Sequence, residues 1–208
     1  MKKLIPLACA VLAVALTAAL AAGGTKAHSQ PLPRSYGSTA PYAPTVAASV
    51  AHSLAAARLA TAKYVSNLGR AKADGYRIIT PMIPNMGYHF LNPKIAGFDV
   101  TRPAILVYEK RGAEWQLGAL EWVFTSKPKT PPLPGARYGA FPAACHYADG
   151  TFIAEAFEKR CPKTNPASAA AFGFWHPDLV TMHVWVWYPN PSGIFSGTNP
   201  LVAPFNKG

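Results

Sequence analysis

The chain has 208 residues, of which 50% are hydrophobic and 14% charged. It is long enough for one domain with a real core and too apolar for disorder over most of its length. Twenty-one prolines and sixteen glycines argue against an all-helical bundle and fit strands joined by turns. The formal net charge of +11 comes from lysines and arginines scattered singly, so no nucleic-acid or polybasic lipid patch is expected.

The first segment reads as a signal peptide over residues 1–27. Lys2 and Lys3 precede an apolar run, Leu4–Ala22, and small residues follow it. Cleavage is expected after Ala21, Ala22 or Ala27, with no stable membrane insertion afterwards and a secreted or periplasmic product. A cut after Ala27 removes Lys2, Lys3 and Lys26 and lowers the net charge by 3 to +8. Cys9 leaves with the signal. Cys145 and Cys161 remain, and in an oxidising compartment they are expected to pair. Such a bridge contributes on the order of 3 kcal/mol by constraining the unfolded chain.

Residues 28–44 form an extended leader rich in Pro, Ser, Gly and Tyr. The single α+β domain is expected over 45–208. Thr45–Ala73 reads as one long helix whose stripe is Val46, Val50, Leu54, Ala57, Thr61, Tyr64, Leu68 and Ala71. Tyr76–Ile83 is apolar and broken by prolines. Asn85–Pro93 reads as a turn, a short strand and a second turn. Pro103–Glu109 and Gln116–Phe124 form an antiparallel hairpin turning at Lys110–Ala113. A turn centred on Arg111 and Gly112 places Glu109 and Glu121 on opposite faces, Glu121 with Leu117, Ala119 and Val123, and Arg102 opposite Glu121. Glu109, at a strand end, is expected to be exposed. Thr125–Gly139 is a proline-rich loop suited to a pocket mouth. Thr181–Tyr188 alternates strictly. His183, Trp185 and Trp187 fall on one face and Met182, Val184, Val186 and Tyr188 on the other.

Several segments together resemble a family of secreted bacterial proteins with no established activity. They are Ala60–Tyr64, Ala73–Tyr76, Met86–His89 with Asn92, Ala104–Glu109, Leu120–Val123, His183–Trp187, Asn190–Phe195 and Asn199-Pro200. The resemblance covers most of the chain from Ala55 onward. It implies secretion and gives weight to His89 and His183, and it brings no catalytic residues. The stretch from Cys145 to His176 reads as an elaboration on that pattern.

His89, Glu121 and His183 come from three separate predicted strand regions. Two imidazoles and a carboxylate are a common ligand set for one Zn, Cu or Fe ion with a position left open, and His176 is a candidate fourth ligand. The alternative is structural, with Glu121 paired to Arg102 and each imidazole bonded to a carbonyl. Trp185, Trp187, Tyr88 and Asn92 are candidate ligand-binding neighbours. His28, if it became the first residue, would offer an amine and an imidazole for copper. No GxSxG motif, phosphate loop, dinucleotide fingerprint or haem-attachment CxxCH is present.

The expected fold is therefore α+β, one long N-terminal helix on an antiparallel sheet or small open β-barrel with one disulfide. The expected function is binding of a metal ion or small ligand in a His/Glu/aromatic pocket. The alternatives are a cell-envelope module that binds glycan or a partner protein, a mononuclear metal-dependent enzyme using Glu121 as ligand or general base, and a plain structural domain. Oligomeric state is left open.

Overall fold

The computed structural model describes residues 46–206. The expected signal peptide, Cys9, and the leader with His28 lie outside the described residues.

The expected single helix is broken in two. Helix α1 spans Val46–Thr61, only 16 residues, and runs into a 3-10 turn at Ala62–Tyr64. Helix α2, Leu68–Ala73, follows after a gap. The break has a clear cause. The Tyr64 carbonyl accepts the Tyr108 hydroxyl at 2.8 Å, and the Val65 carbonyl accepts the Leu117 N–H at 2.7 Å. Both acceptors turn toward the sheet and leave the helical ladder. Asn67 then restarts the helix, its side chain accepting the Arg70 N–H at 2.8 Å. Asn67→Ala should cost about 1 kcal/mol and lower the melting temperature by about 2–4 °C, as read by thermal unfolding followed by circular dichroism. The expected stripe survives the break: Ala57, Thr61, Tyr64, Leu68 and Ala71 are all buried.

The strands are β1 (Arg77–Ile78), β2 (Tyr88–Leu91), β3 (Ile105–Arg111), β4 (Glu114–Phe124), β5 (Gly139–Phe141), β6 (Ala144–Tyr147), β7 (Phe152–Ala154), β8 (Phe172–His176) and β9 (Leu179–Val184). An open six-stranded sheet runs β1-β2-β3-β4-β9-β5, with every pairing antiparallel. It does not close into a barrel. A smaller sheet runs β7-β6-β8. The predicted bridge forms between Cys145 and Cys161 and ties β6 to the segment beyond β7.

The large sheet buries both faces. Phe90, Leu106, Tyr108, Leu120, Trp122, Met182 and Val184 meet the helical stripe in one cluster. Ile105, Val107, Ala119 and Trp185 form the other with Ile79 and Val202, the latter from the 3-10 helix Pro200–Asn206.

The β3–β4 hairpin turns at Gly112-Ala113, since Arg111 pairs with Glu114. Its register then slips. Tyr108 pairs with Leu117 and Val107 with Ala119, so Gly118 is the extra residue of a β-bulge. The turn, one residue later than expected, and the slip together overturn three expectations. Glu121 sits opposite Ile105, not Arg102. Glu109 and Glu121 lie on the same face of the sheet, because the extra residue reverses the alternation along β4. Leu117 moves to the helix side. Glu109, expected to be exposed, is only 1% accessible.

The alternation expected over Thr181–Tyr188 holds through Val186 and then fails. Trp187 packs with the helix-side cluster and Tyr188 with the other. The cause is again the bulge: the N–H groups of Trp187 and Tyr188 both donate to the Gly118 carbonyl, which twists the chain off the strand.

Candidate functional site

Three strands of the large sheet bring His89, Glu121 and His183 together. Glu121 on β4 and His183 on β9 are direct cross-strand partners. His89 on β2 is opposite Val107, which is opposite Ala119 on β4, so it shares their face one register away. All three side chains line one cavity of about 420 Å³. Its other walls are mostly apolar. Ile79 and Ile105 lie beside the histidines, and Ile83 and Met86 come from the loop before β2. The end of the proline-rich loop supplies Tyr138, and the turn after Asn190-Pro191 supplies Phe195. Both segments therefore do line the pocket.

The polar floor is unusual for its lack of partners. His183 is buried, and neither ring nitrogen has a hydrogen bond. A neutral imidazole carries one donor and one acceptor, so two bonding capacities at the edge of the cavity are unused. Burial, with His89 nearby, pushes its pKa down to about 3, so the ring is neutral at pH 7. His89 is better held. Its Nδ1 lies 3.0 Å from the Thr80 hydroxyl, which also accepts the His89 backbone N–H at 3.1 Å. Burial takes its pKa down to about 4. His89 Nε2 stands 3.6 Å from Glu121 Oε2, too far for a good hydrogen bond. Burial pushes the Glu121 carboxyl up to about 7, against the opposing effect of a bond from Thr181.

As a metal centre the arrangement is open. The rings of His89 and His183 are 6.2 Å apart between centroids and tilted by 57°. No group of three His, Cys, Asp or Glu side chains among the described residues stands ready to enclose an ion. His176 does not join these residues. It lies on β8 of the smaller sheet and contacts His146.

The other expected neighbours have different work. Trp185 packs against His183 at 5.0 Å, but it is buried and its indole N–H donates to the Ser196 carbonyl. Trp187 donates to the Thr61 hydroxyl beneath the Arg58 guanidinium. Tyr88 points to the helix side, edge-on to Trp115. Asn92 binds the Asp74 carbonyl and the Lys94 N–H and holds a turn. None of the five tryptophans is exposed.

One buried acid escapes sequence reasoning. Glu109 borders a second, wider cleft of about 800 Å³ together with Trp115, Trp187, Tyr188 and Phe205. Its Oε1 is buried with no hydrogen-bond partner. Burial pushes its carboxyl up to about 8. A methyl at Gly87 would lie 2.6 Å from both this oxygen and the Tyr108 carbonyl, so the backbone there has no room for a side chain. The signal for Glu109 was Gly118, a glycine inside a strand pattern and hence a bulge marker.

No family model, no curated protein and no solved structure matches the chain. The function has to be argued from the cavity.

Proposed function

We propose that the protein binds a small organic molecule in the His89/Glu121/His183 cavity, with an apolar body and a neutral, hydrogen-bonding head. The single observation that carries this is His183, buried at the cavity with both nitrogens unpartnered. An apolar cleft of this size with few convergent polar groups is the usual form of a small-ligand site. The head group would exchange hydrogen bonds with His183 and with the Glu121 carboxyl, and the body would lie against Ile83, Met86 and Phe195. An anionic head is disfavoured beside Glu121 as its carboxylate forms. The apolar run Leu4–Ala22 and the disulfide support action outside the cytosol.

Trp185, tilted against His183, reports on the site. Phenols, medium-chain alcohols and medium-chain amides titrated into the protein should change its fluorescence and raise the melting temperature. His183→Leu should abolish both responses. If no compound in the panel shifts either readout, and organic extracts of freshly purified protein yield no co-purifying molecule, the reading fails.

A metal reading has one observation in its favour. Thr80 fixes His89 by Nδ1 and leaves Nε2 toward Glu121, as supporting groups do for a ligating imidazole. In that reading a Zn, Cu or Fe ion would draw His183 inward. Elemental analysis of protein dialysed without chelator decides it. Near-stoichiometric metal that is lost in His183→Leu supports the ion, and metal-free protein with no uptake on addition excludes it.

A further inference from the structure

The cavity that holds His183 also has a positive rim. Arg137 lines it and is exposed, so it stands at the mouth, whereas His183 and Glu121 are buried. The backbone explains how Arg137 gets there. Strand β5 runs antiparallel to β9, with Phe141 facing Leu179 and Gly139 facing Thr181. The chain just before β5 therefore runs alongside the end of β9 that carries His183. Arg137 is the one lysine or arginine among the lining residues, in a chain that has 20 of them.

This rim has no anion of its own. An arginine stays charged throughout the pH range in which the protein folds. None of the ion pairs among the described residues uses Arg137. The one acid in the lining is Glu121, which is buried and bonded by Thr181 and faces His183 across the strands. Tyr138, next in the chain and also in the lining, has its hydroxyl buried with no hydrogen-bond partner. A second cation, Lys127 Nζ, lies 5.6 Å from the centre of the Tyr138 ring. Positive charge and an unused hydroxyl thus meet at one end of a mostly apolar cleft.

These groups select a chemistry. A carboxylate is planar, carries a single charge and accepts two parallel N–H bonds from a guanidinium. Its remaining lone pairs can accept from a hydroxyl. A phosphate dianion would bring twice the charge to a wall with one lining cation. The anion belongs at the mouth, where water still reaches it, because the buried end would strip its hydration beside Glu121. We infer that the ligand of this cavity is an amphiphilic carboxylic acid, with a neutral hydroxyl head toward His183 and Glu121 and its carboxylate held at the mouth by Arg137. The inference rests on the small-ligand reading of the cavity and adds the ligand's anionic end and the residue that selects it.

The test titrates matched pairs of compounds into the full chain with its disulfide intact and reads the heat of binding. The pairs are para-hydroxyphenylpropionate against para-propylphenol, and octanoate bearing a terminal hydroxyl against octanol. At about pH 6 the Glu121 carboxyl keeps its proton while the ligand acids are ionised. Each acid should bind about tenfold more tightly than its neutral partner, and the advantage should shrink at high salt. Arg137→Gln, a change at an exposed side chain, should bring each acid down to the affinity of its neutral partner. Equal affinities within both pairs, or an advantage that survives Arg137→Gln, would overturn the inference and leave the small-ligand reading standing. Binding of no member of either pair is a separate failure, because it strikes that reading itself and the inference with it.

Discussion

Replacing Glu109 with glutamine is expected to stabilise the protein by up to about 5 kcal/mol above pH 8 and to change little below pH 4. The carboxyl is buried and pushed up to about 8, against a free value of 4.5. Below pH 4 it is protonated in both the folded and the unfolded chain and contributes no pH dependence. Between 4.5 and 8 the unfolded chain releases the proton while the folded chain keeps it. The folded state then binds more protons, so stability falls as pH rises through this window and levels off above it. Glutamine keeps the shape and cannot ionise, so it removes this slope. The wild-type profile alone would mislead. Glu121, pushed up to about 7, contributes with the same sign. His89, His146 and His183 contribute with the opposite sign, because each is held neutral when folded and protonates near 6.5 when unfolded. Their stabilisation grows as pH rises from about 4 to 6.5 and partly hides the fall. The difference between Glu109→Gln and wild type in urea midpoints, measured from pH 4 to 9, isolates the one group. A flat difference across that range would mean that Glu109 is ionised or paired in solution.

The same residue shows where sequence reasoning stops. The strands around Glu109 and Glu121 were legible from their β-branched and aromatic runs, as was the turn that joins them. Their relative facing was not, because one unpaired residue at Gly118 reverses it, and periodicity counts residues without knowing which of them pair. The helix shows a different limit. Its buried stripe was readable from Ala57 to Ala71, but its interruption depends on Tyr108 and Leu117, more than forty residues away, taking the carbonyls of Tyr64 and Val65. The convergence of His89, Glu121 and His183 could be expected because each falls on the inward face of a strand. The meeting of His146 with His176 could not. It requires the small sheet β7-β6-β8, whose strands are short and lie in a stretch of turns. His176, a candidate fourth ligand on sequence grounds, lies instead beside His146.

His183→Leu should make the protein more stable, by about 1–3 kcal/mol, while removing its capacity to bind in the cavity. Core substitutions usually destabilise, so the sign is the informative part. In the folded chain the imidazole has given up water for both nitrogens and gained no partner. Desolvation of such groups is expensive, and an apolar side chain of similar size does not incur it. Leucine suits a buried strand position, between Trp185 and the apolar wall made by Ile79 and Ile105. Its methyl groups can use space that the cavity already offers, which limits overpacking. Residues retained at a cost to stability are those on which selection for function acts. A structural histidine would behave in the opposite way: were water or a carbonyl satisfying His183 in solution, leucine would break that bond and lower the melting temperature. Paired thermal unfolding and ligand titration of the variant separate the two cases. Higher stability with lost binding identifies His183 as the functional centre of the cavity. Lower stability would return His183 to the core, and the cavity would lose the group on which its proposed function rests.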